Sequence, residues 1–265
     1  MEITGYIASI IIGITLGLIG GGGSILTVPV LVYLFSVDAV LATTYSLFIV
    51  GTTSVVGSIS YFKKDLVNIK TAIIFGIPSI ISVYFTRAFI LPAIPQNIIT
   101  IGNFFITKSI LLMLLFSALM IFASFSMIKK NKQVDQQFND AKYISTILII
   151  MQGILIGLVT GLIGAGGGFL IIPALSTLLR MEIKNAIGTS LLIIAFNSLF
   201  GFAISAIHFS IDWFFLLKIL TLAITGVLLG SYLSRNIDGK KLKPAFGWFV
   251  LVMGIYIIIK ETILK

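Results

Sequence analysis

The chain has 265 residues, of which 58% are hydrophobic and 10% charged, and its formal net charge is +9. Soluble domains carry roughly 25% charged residues, so this composition excludes one and describes an integral membrane protein. With no cysteine and a single histidine, disulfides, thiolate sites, sulfur nucleophiles and His clusters are excluded, and neither a cofactor nor a metal is expected.

The first apolar segment, residues 5–35, would reach about 46 Å as one helix, which is too long for one span of a ~30 Å core and too short for two. Near its middle lie Gly20, Gly21, Gly22 and Gly23, followed by Ser24. Each glycine inside a helix costs roughly 1 kcal/mol against alanine, and its backbone groups must still find partners in hydrocarbon. The segment is therefore predicted to be two part-helices joined by a break. Apolar segments follow at 39–62, 69–91 and 104–127. Lys63-Lys64-Asp65 closes the first of these, and Pro92 and Pro95 break the chain after the second.

The sustained polar stretch from Lys129 to Asp140 reads as a linker, 129–142, between a first half of 1–128 and a second of 143–265, all in one transmembrane domain. The second half repeats the pattern, with a broken segment at 144–179 and further segments at 183–207, 213–233 and 244–259. Its identity with the first half holds at one register. Gly17-Leu18-Ile19-Gly20 recurs as Gly161-Leu162-Ile163-Gly164, Pro29 as Pro173, Ser46-Leu47 as Ser190-Leu191, Ser54 as Ser198 and Gly57 as Gly201, always 144 positions on. Thr53 falls on Asn197 and Asn68 on Asp212. One fixed register over this distance means duplication of a half-protein.

Charge separates two topologies. If each broken segment crosses once, the basic residues divide evenly and no orientation results. If each is a hairpin that enters and returns, Lys63, Lys64, Lys70, Lys129, Lys130, Lys132, Lys142, Arg180, Lys184, Arg235, Lys240, Lys241 and Lys243 share one side. Arg87, Lys108, Lys218, Lys260 and Lys265 share the other, and the positive-inside rule makes the first side cytoplasmic. The expected fold is thus an all-α polytopic membrane protein of two inverted repeats, each a glycine-broken helical hairpin plus three transmembrane helices. Both termini would be extracytoplasmic, and the breaks would meet near the midplane, where many secondary transporters build a site. Met1-Glu2-Ile3-Thr4 lacks a basic n-region, so no cleaved signal peptide is expected. Because the basic residues sit in short clusters between apolar runs, they read as a topology signal and not as a nucleic-acid surface.

Past each break a helix should begin, near Gly23-Ser24 and near Gly167-Gly168. Its unpaired N–H groups favour an anion, which glycine lets approach closely. Gly21, Gly22, Gly23, Ser24, Gly166, Gly167 and Gly168 are the candidate backbone site. The spaced glycines Gly13, Gly17 and Gly20, and Gly153, Gly157, Gly161 and Gly164, suit close helix packing instead. Ser46, Thr53, Ser54, Thr189, Ser190, Asn197 and Ser198 follow the breaks and offer donors to an oxyanion; the alternative is bonding to helix carbonyls. Arg87, Lys108 and Lys218 are expected to snorkel to the interface, or else to draw anions to an exit vestibule. His208 and Asp212 sit at that same end, where a proton relay is conceivable. Paired intramembrane carboxylates are lacking, which argues against an enzyme and against a cation-coupled pump.

The duplicated glycine motif with its proline, Gly188-Thr189-Ser190-Leu191, Asn197-Ser198 with Gly201, and the stretch from His208 to Asp212 together resemble the TauE/SafE family of sulfite exporters and related anion permeases, over nearly the whole chain. In the first half Thr44-Tyr45-Ser46-Leu47 departs from the Gly-Thr-Ser-Leu form, so no shared role is expected for Tyr45 and Thr189. The resemblance implies export of sulfite, sulfoacetate or a related organosulfonate across a cell membrane by alternating access, with proton coupling left open. The expected partners are a small anionic substrate and the lipid bilayer, with a homodimer as a further option and no nucleic acid. An anion channel and a non-transporting membrane subunit remain as alternatives.

Overall fold

The computed structural model describes residues 2–19, 21–101, 104–128, 146–179, 181–233 and 239–263. The expected linker 129–142, together with Gly20, Arg180, Arg235 and Lys265, lies outside the described residues.

The molecule is a polytopic α-helical membrane protein. In the first half α1 (Glu2–Ile19) leads into a 3-10 turn (Gly21–Leu26) and α2 (Thr27–Tyr33). Next come α3 (Ala39–Phe62) and α4 (Ile69–Phe85), the latter continuing through a π turn (Thr86–Ile90) into α5 (Leu91–Ala93). A strand pair, β1 (Asn97–Ile101) and β2 (Phe104–Thr107), precedes α6 (Lys108–Ile128). The second half holds α7 (Thr146–Ile163), α8 (Gly168–Pro173) with a π turn (Ala174–Leu178), α9 (Ile183–Ala206), α10 (Trp213–Leu233) and α11 (Gly239–Thr262). Six described helices are long and apolar enough to cross a membrane, and Ile3–Leu18 and Gly23–Tyr33 are shorter apolar helical stretches. Large apolar side chains such as Ile3, Ile73, Phe122, Ile147 and Phe214 stand more than half exposed around the bundle, a surface that suits lipid and not water.

The helix starts are set by side chains with the correct chemistry. Asp38 Oδ1 accepts from the backbone N–H of Val40 at 2.9 Å to open α3, and Asn68 Oδ1 accepts from Thr71 N at 2.9 Å to open α4. Asp212 Oδ1, which corresponds to Asn68 in the repeat, accepts from Phe215 N at 3.0 Å at the start of α10. Each cap satisfies an otherwise orphaned donor, worth about 1 kcal/mol.

Packing preserves the repeat. α1 lies along α10 as α7 lies along α4, while α3 packs on its counterpart α9 and α6 on its counterpart α11. The spaced glycines make the first two pairs close. A Cβ on Gly13 would collide with the Ala223 carbonyl, and one on Gly157 with the carbonyl of Ser79, which is the residue corresponding to Ala223. Gly17 likewise faces Val227, and Gly153 faces Phe75. Gly13, Gly17, Gly153 and Gly157 play the packing role expected of them, whereas Gly164 lies past the end of α7 in a left-handed conformation at the break.

The first broken segment turns back on itself. Gly23 lies against Thr15 and Leu16, and at the far end the Phe35 ring lies against Gly5 and packs edge-on to Tyr6 at 5.4 Å. In the second half Gly167 lies against Thr160, the counterpart of Leu16. The returning arm α2 is tied to α11, where the Tyr33 hydroxyl donates to Glu261 Oε1 at 2.9 Å and Lys260 Nζ lies 4.1 Å over the Tyr33 ring.

Two details differ from the expectation. Residues 104–107, predicted to begin a helix, form β2 paired antiparallel with β1, with Thr100 opposite Phe105 and Ile101 opposite Phe104. Pro92 and Pro95 stop the preceding helix, and the β-branched and aromatic residues of 98–107 favour extended backbone. The new helix of the first half also opens with a 3-10 turn over Gly21–Leu26 and becomes α-helical at Thr27, so Gly23 lies within its first turns.

Candidate functional site

The two breaks meet. A Cβ on Gly21 would sit on Gly168, and one on Gly168 would sit on the Gly21 carbonyl, so backbone touches backbone with no room for a side chain. Both glycines are buried. The second break owes its shape to left-handed conformations at Gly164, Gly166 and Gly167, with φ of 73°, 69° and 71°, where any residue with a Cβ is strained. Gly22 lies within the first-half 3-10 turn.

The helices past the breaks are short: α2 has seven residues, and α8 has six before its π turn. Pro173 closes α8, and the ring of a proline there leaves a carbonyl unpaired and loosens the ladder toward π geometry. Such short helices carry little dipole. What the region supplies instead is buried hydroxyl and amide groups.

Those groups divide into two sets. Several have partners within their own helices. Ser24 Oγ donates to Gly21 O at 2.7 Å, Thr53 Oγ1 to Ile49 O at 2.6 Å, and Ser190 Oγ to Ile187 O at 2.8 Å. Thr189 Oγ1 accepts from the backbone N–H of Asn68 at 2.9 Å and so helps anchor the start of α4. For these four the carbonyl-bonding or anchoring role suffices.

The second set is buried with atoms that have no partner among the described residues: Ser46 Oγ, Ser54 Oγ, Ser198 Oγ and Asn197 Oδ1. A buried polar atom without a partner costs about 1–3 kcal/mol, which a ligand or a water at these atoms would offset. Ser198 Oγ faces Gly166 at the second break, and Asn197 Nδ2 reaches across to Ser79 Oγ of α4 at 2.7 Å. Ser54 and Thr53 line a cavity of about 10 Å³ together with Gly17, Gly57 and Tyr61, which is room for roughly one water molecule. Thr27 Oγ1 and Thr160 Oγ1 are further unpartnered hydroxyls beside the breaks that the sequence reading passed over. Thr160 had a signal, since it stands where Leu16 stands in the other half.

The basic residues expected at the interface behave differently from one another. Lys218 Nζ lies 4.0 Å over the Phe214 ring, and Lys108 Nζ donates to the Leu91 carbonyl at the start of α5. Arg87 does not snorkel. It is 1% exposed, the largest fully buried side chain among the described residues, and its Nη1 donates to Thr43 Oγ1 at 3.1 Å and Ser205 Oγ at 3.3 Å. The π turn that carries it packs against α7 and α9, which carries Arg87 inward. Asp212, expected near a proton relay, serves as a helix cap, its own N–H donating to the Tyr45 hydroxyl at 2.9 Å.

A family model described as "Sulfite exporter TauE/SafE" matches residues 6–257. Among curated proteins, a "Probable membrane transporter protein" of Xylella fastidiosa strain Temecula1 is 30% identical over 256 residues, which is 94% of this chain and 91% of the relative. The Bacillus subtilis "Probable membrane transporter protein YunE" is 26% identical, covering 96% of this chain and 97% of its own length. "Probable membrane transporter protein MJ0441" of Methanocaldococcus jannaschii is 26% identical over 74% of this chain and 68% of its own. No solved structure matches the chain.

Proposed function

The chain belongs to the Sulfite exporter TauE/SafE family of membrane transporters, and from that membership we propose that it exports a small sulfur-containing anion, such as sulfite, sulfoacetate or a related organosulfonate. The carrying observation is the set of buried hydroxyls of Ser46, Ser54 and Ser198 that have no partner among the described residues, with Ser198 Oγ against Gly166 at the second break. Hydroxyl groups donate to sulfonyl or sulfite oxygens without placing a fixed charge beside each of them.

The transport cycle in this reading is alternating access about the breaks. The hairpin contact of Gly5 with Phe35 and the exchange-symmetric packing of the halves support an inverted repeat, and the distribution of basic residues supports extracytoplasmic termini in the cell membrane. Contact between Gly21 and Gly168 closes the centre, so the hairpins, or the bundles that carry them, must part to pass an anion.

The test is flux in proteoliposomes, comparing sulfite, sulfoacetate, sulfate, chloride and a neutral solute, with and without a pH gradient. Saturable sulfite or sulfonate flux, abolished in folded Gly22→Leu and Gly167→Leu variants, is expected, and its response to the gradient reports proton coupling. An unchanged flux in both variants would move the site away from the breaks.

A further inference from the structure

Arg87 Nη1 is held by two hydroxyls, from Thr43 on α3 and Ser205 on α9, but its Nε and Nη2 have no partner among the described residues. Those two atoms form one edge of the guanidinium, the fork that binds two oxygens of an oxyanion side by side. The group keeps its proton in proteins. A buried charge is expensive unless it is paired, and here both described partners are neutral hydroxyls. An edge so placed is short of an anion.

The repeat sharpens the point. Residues 144 positions from Arg87, Ser205, Val83, Leu47 and Gly201 are Ser231, Tyr61, Val227, Leu191 and Gly57, and all five of these line the water-sized cavity beside Thr53 and Ser54. In the other half Gly201 faces Leu47 and Val83, and Arg87 bonds Ser205. One half therefore keeps a small neutral cavity where the corresponding position of the other carries a guanidinium, bonded to Thr43 and Ser205. Thr43, which holds Nη1, also packs on Gly164 of the second break. The cation thus stands one residue away from the break, between it and the end of the bundle where α4 finishes.

We propose that Arg87 is a substrate-binding residue of the transport path, whose Nε–Nη2 edge takes two oxygens of the sulfonate or sulfite group as it passes between the breaks and that end. The proposal rests on the anion-transport reading above. It makes the path charged in one half and neutral in the other, so the anion is held on one side of the breaks and released from the opposite one.

The experiment uses the full chain, purified and reconstituted, with initial rates of sulfite and sulfoacetate flux and the rise in melting temperature that each anion gives. Wild type is measured first, and if it neither carries nor is stabilised by any of the anions, the anion-transport reading itself falls. Given wild-type flux, Arg87→Gln is expected to raise KM at least tenfold and to lose the anion-dependent rise in melting temperature. Arg87→Lys, which keeps the charge but not the fork, should retain part of both. Wild-type KM and an unchanged temperature shift in Arg87→Gln would overturn the proposal and leave the guanidinium a packing group against the end of α7. Should Arg87→Gln fail to fold, Thr43→Val with Ser205→Ala decides, since it frees Nη1 while keeping the charge. A KM changed threefold or more supports the proposal, and an unchanged KM overturns it.

Discussion

The hydroxyls of Tyr45 and Thr189, residues of different type 144 positions apart, accept the same hydrogen bond. Tyr45 Oη receives the backbone N–H of Asp212 and Thr189 Oγ1 that of Asn68, each at 2.9 Å. Asn68 and Asp212 are themselves counterparts and cap α4 and α10. Each bond crosses from one half to the other and pins a helix start beneath it. The departure of Thr44-Tyr45-Ser46-Leu47 from its counterpart conceals a conserved geometry, since the longer phenol reaches the position that the threonine occupies from nearby.

The pair therefore predicts a stability effect. Tyr45→Phe and Thr189→Val each leave a partly buried N–H without its acceptor, a loss of about 1–3 kcal/mol. Thermal unfolding in detergent should show a lower melting temperature for both, and the combined variant should lose about the sum, because the two bonds share no atoms.

Glycine substitutions should separate by what a Cβ would meet. Gly157→Ala drives a methyl into the Ser79 carbonyl, whereas at Gly57 the nearest atom is a flexible Leu191 methyl at 3.5 Å. Overpacking against backbone costs roughly 1–3 kcal/mol. Gly157→Ala is expected to lower the melting temperature clearly and Gly57→Ala hardly at all.

Gly166→Ala combines left-handed backbone with a Cβ that would press on Val50 and Ser198. The strain alone is about 1–2 kcal/mol. Transport should fall further than stability does, which parallel flux and melting measurements will read.

Removal of an unpartnered hydroxyl should do the reverse of removing a bonded one. Ser54→Ala and Ser198→Ala delete buried oxygens that have no described partner, so stability should stay within about 0.5 kcal/mol of wild type or rise. If these oxygens serve the anion, sulfite flux drops tenfold or more in the same variants. Unchanged flux would assign them to helix packing.

The membrane class, the duplication and the position of both breaks were legible in the sequence, because hydropathy, glycine runs and a fixed 144-residue register are properties of the chain read locally or against itself. The spacing of Gly13, Gly17, Gly153 and Gly157 likewise announced packing faces. Tertiary structure alone decided the rest, because the deciding partners come from elements far away in the chain. Thr43 and Ser205 hold Arg87 inside the bundle where hydropathy suggested a snorkelling cation. Thr189 anchors a helix while Ser198 stays unpartnered, although both are hydroxyls on the same helix. A side chain's type says which bonds it can make. Only the packing of α3, α4 and α9 says which of those bonds are already made.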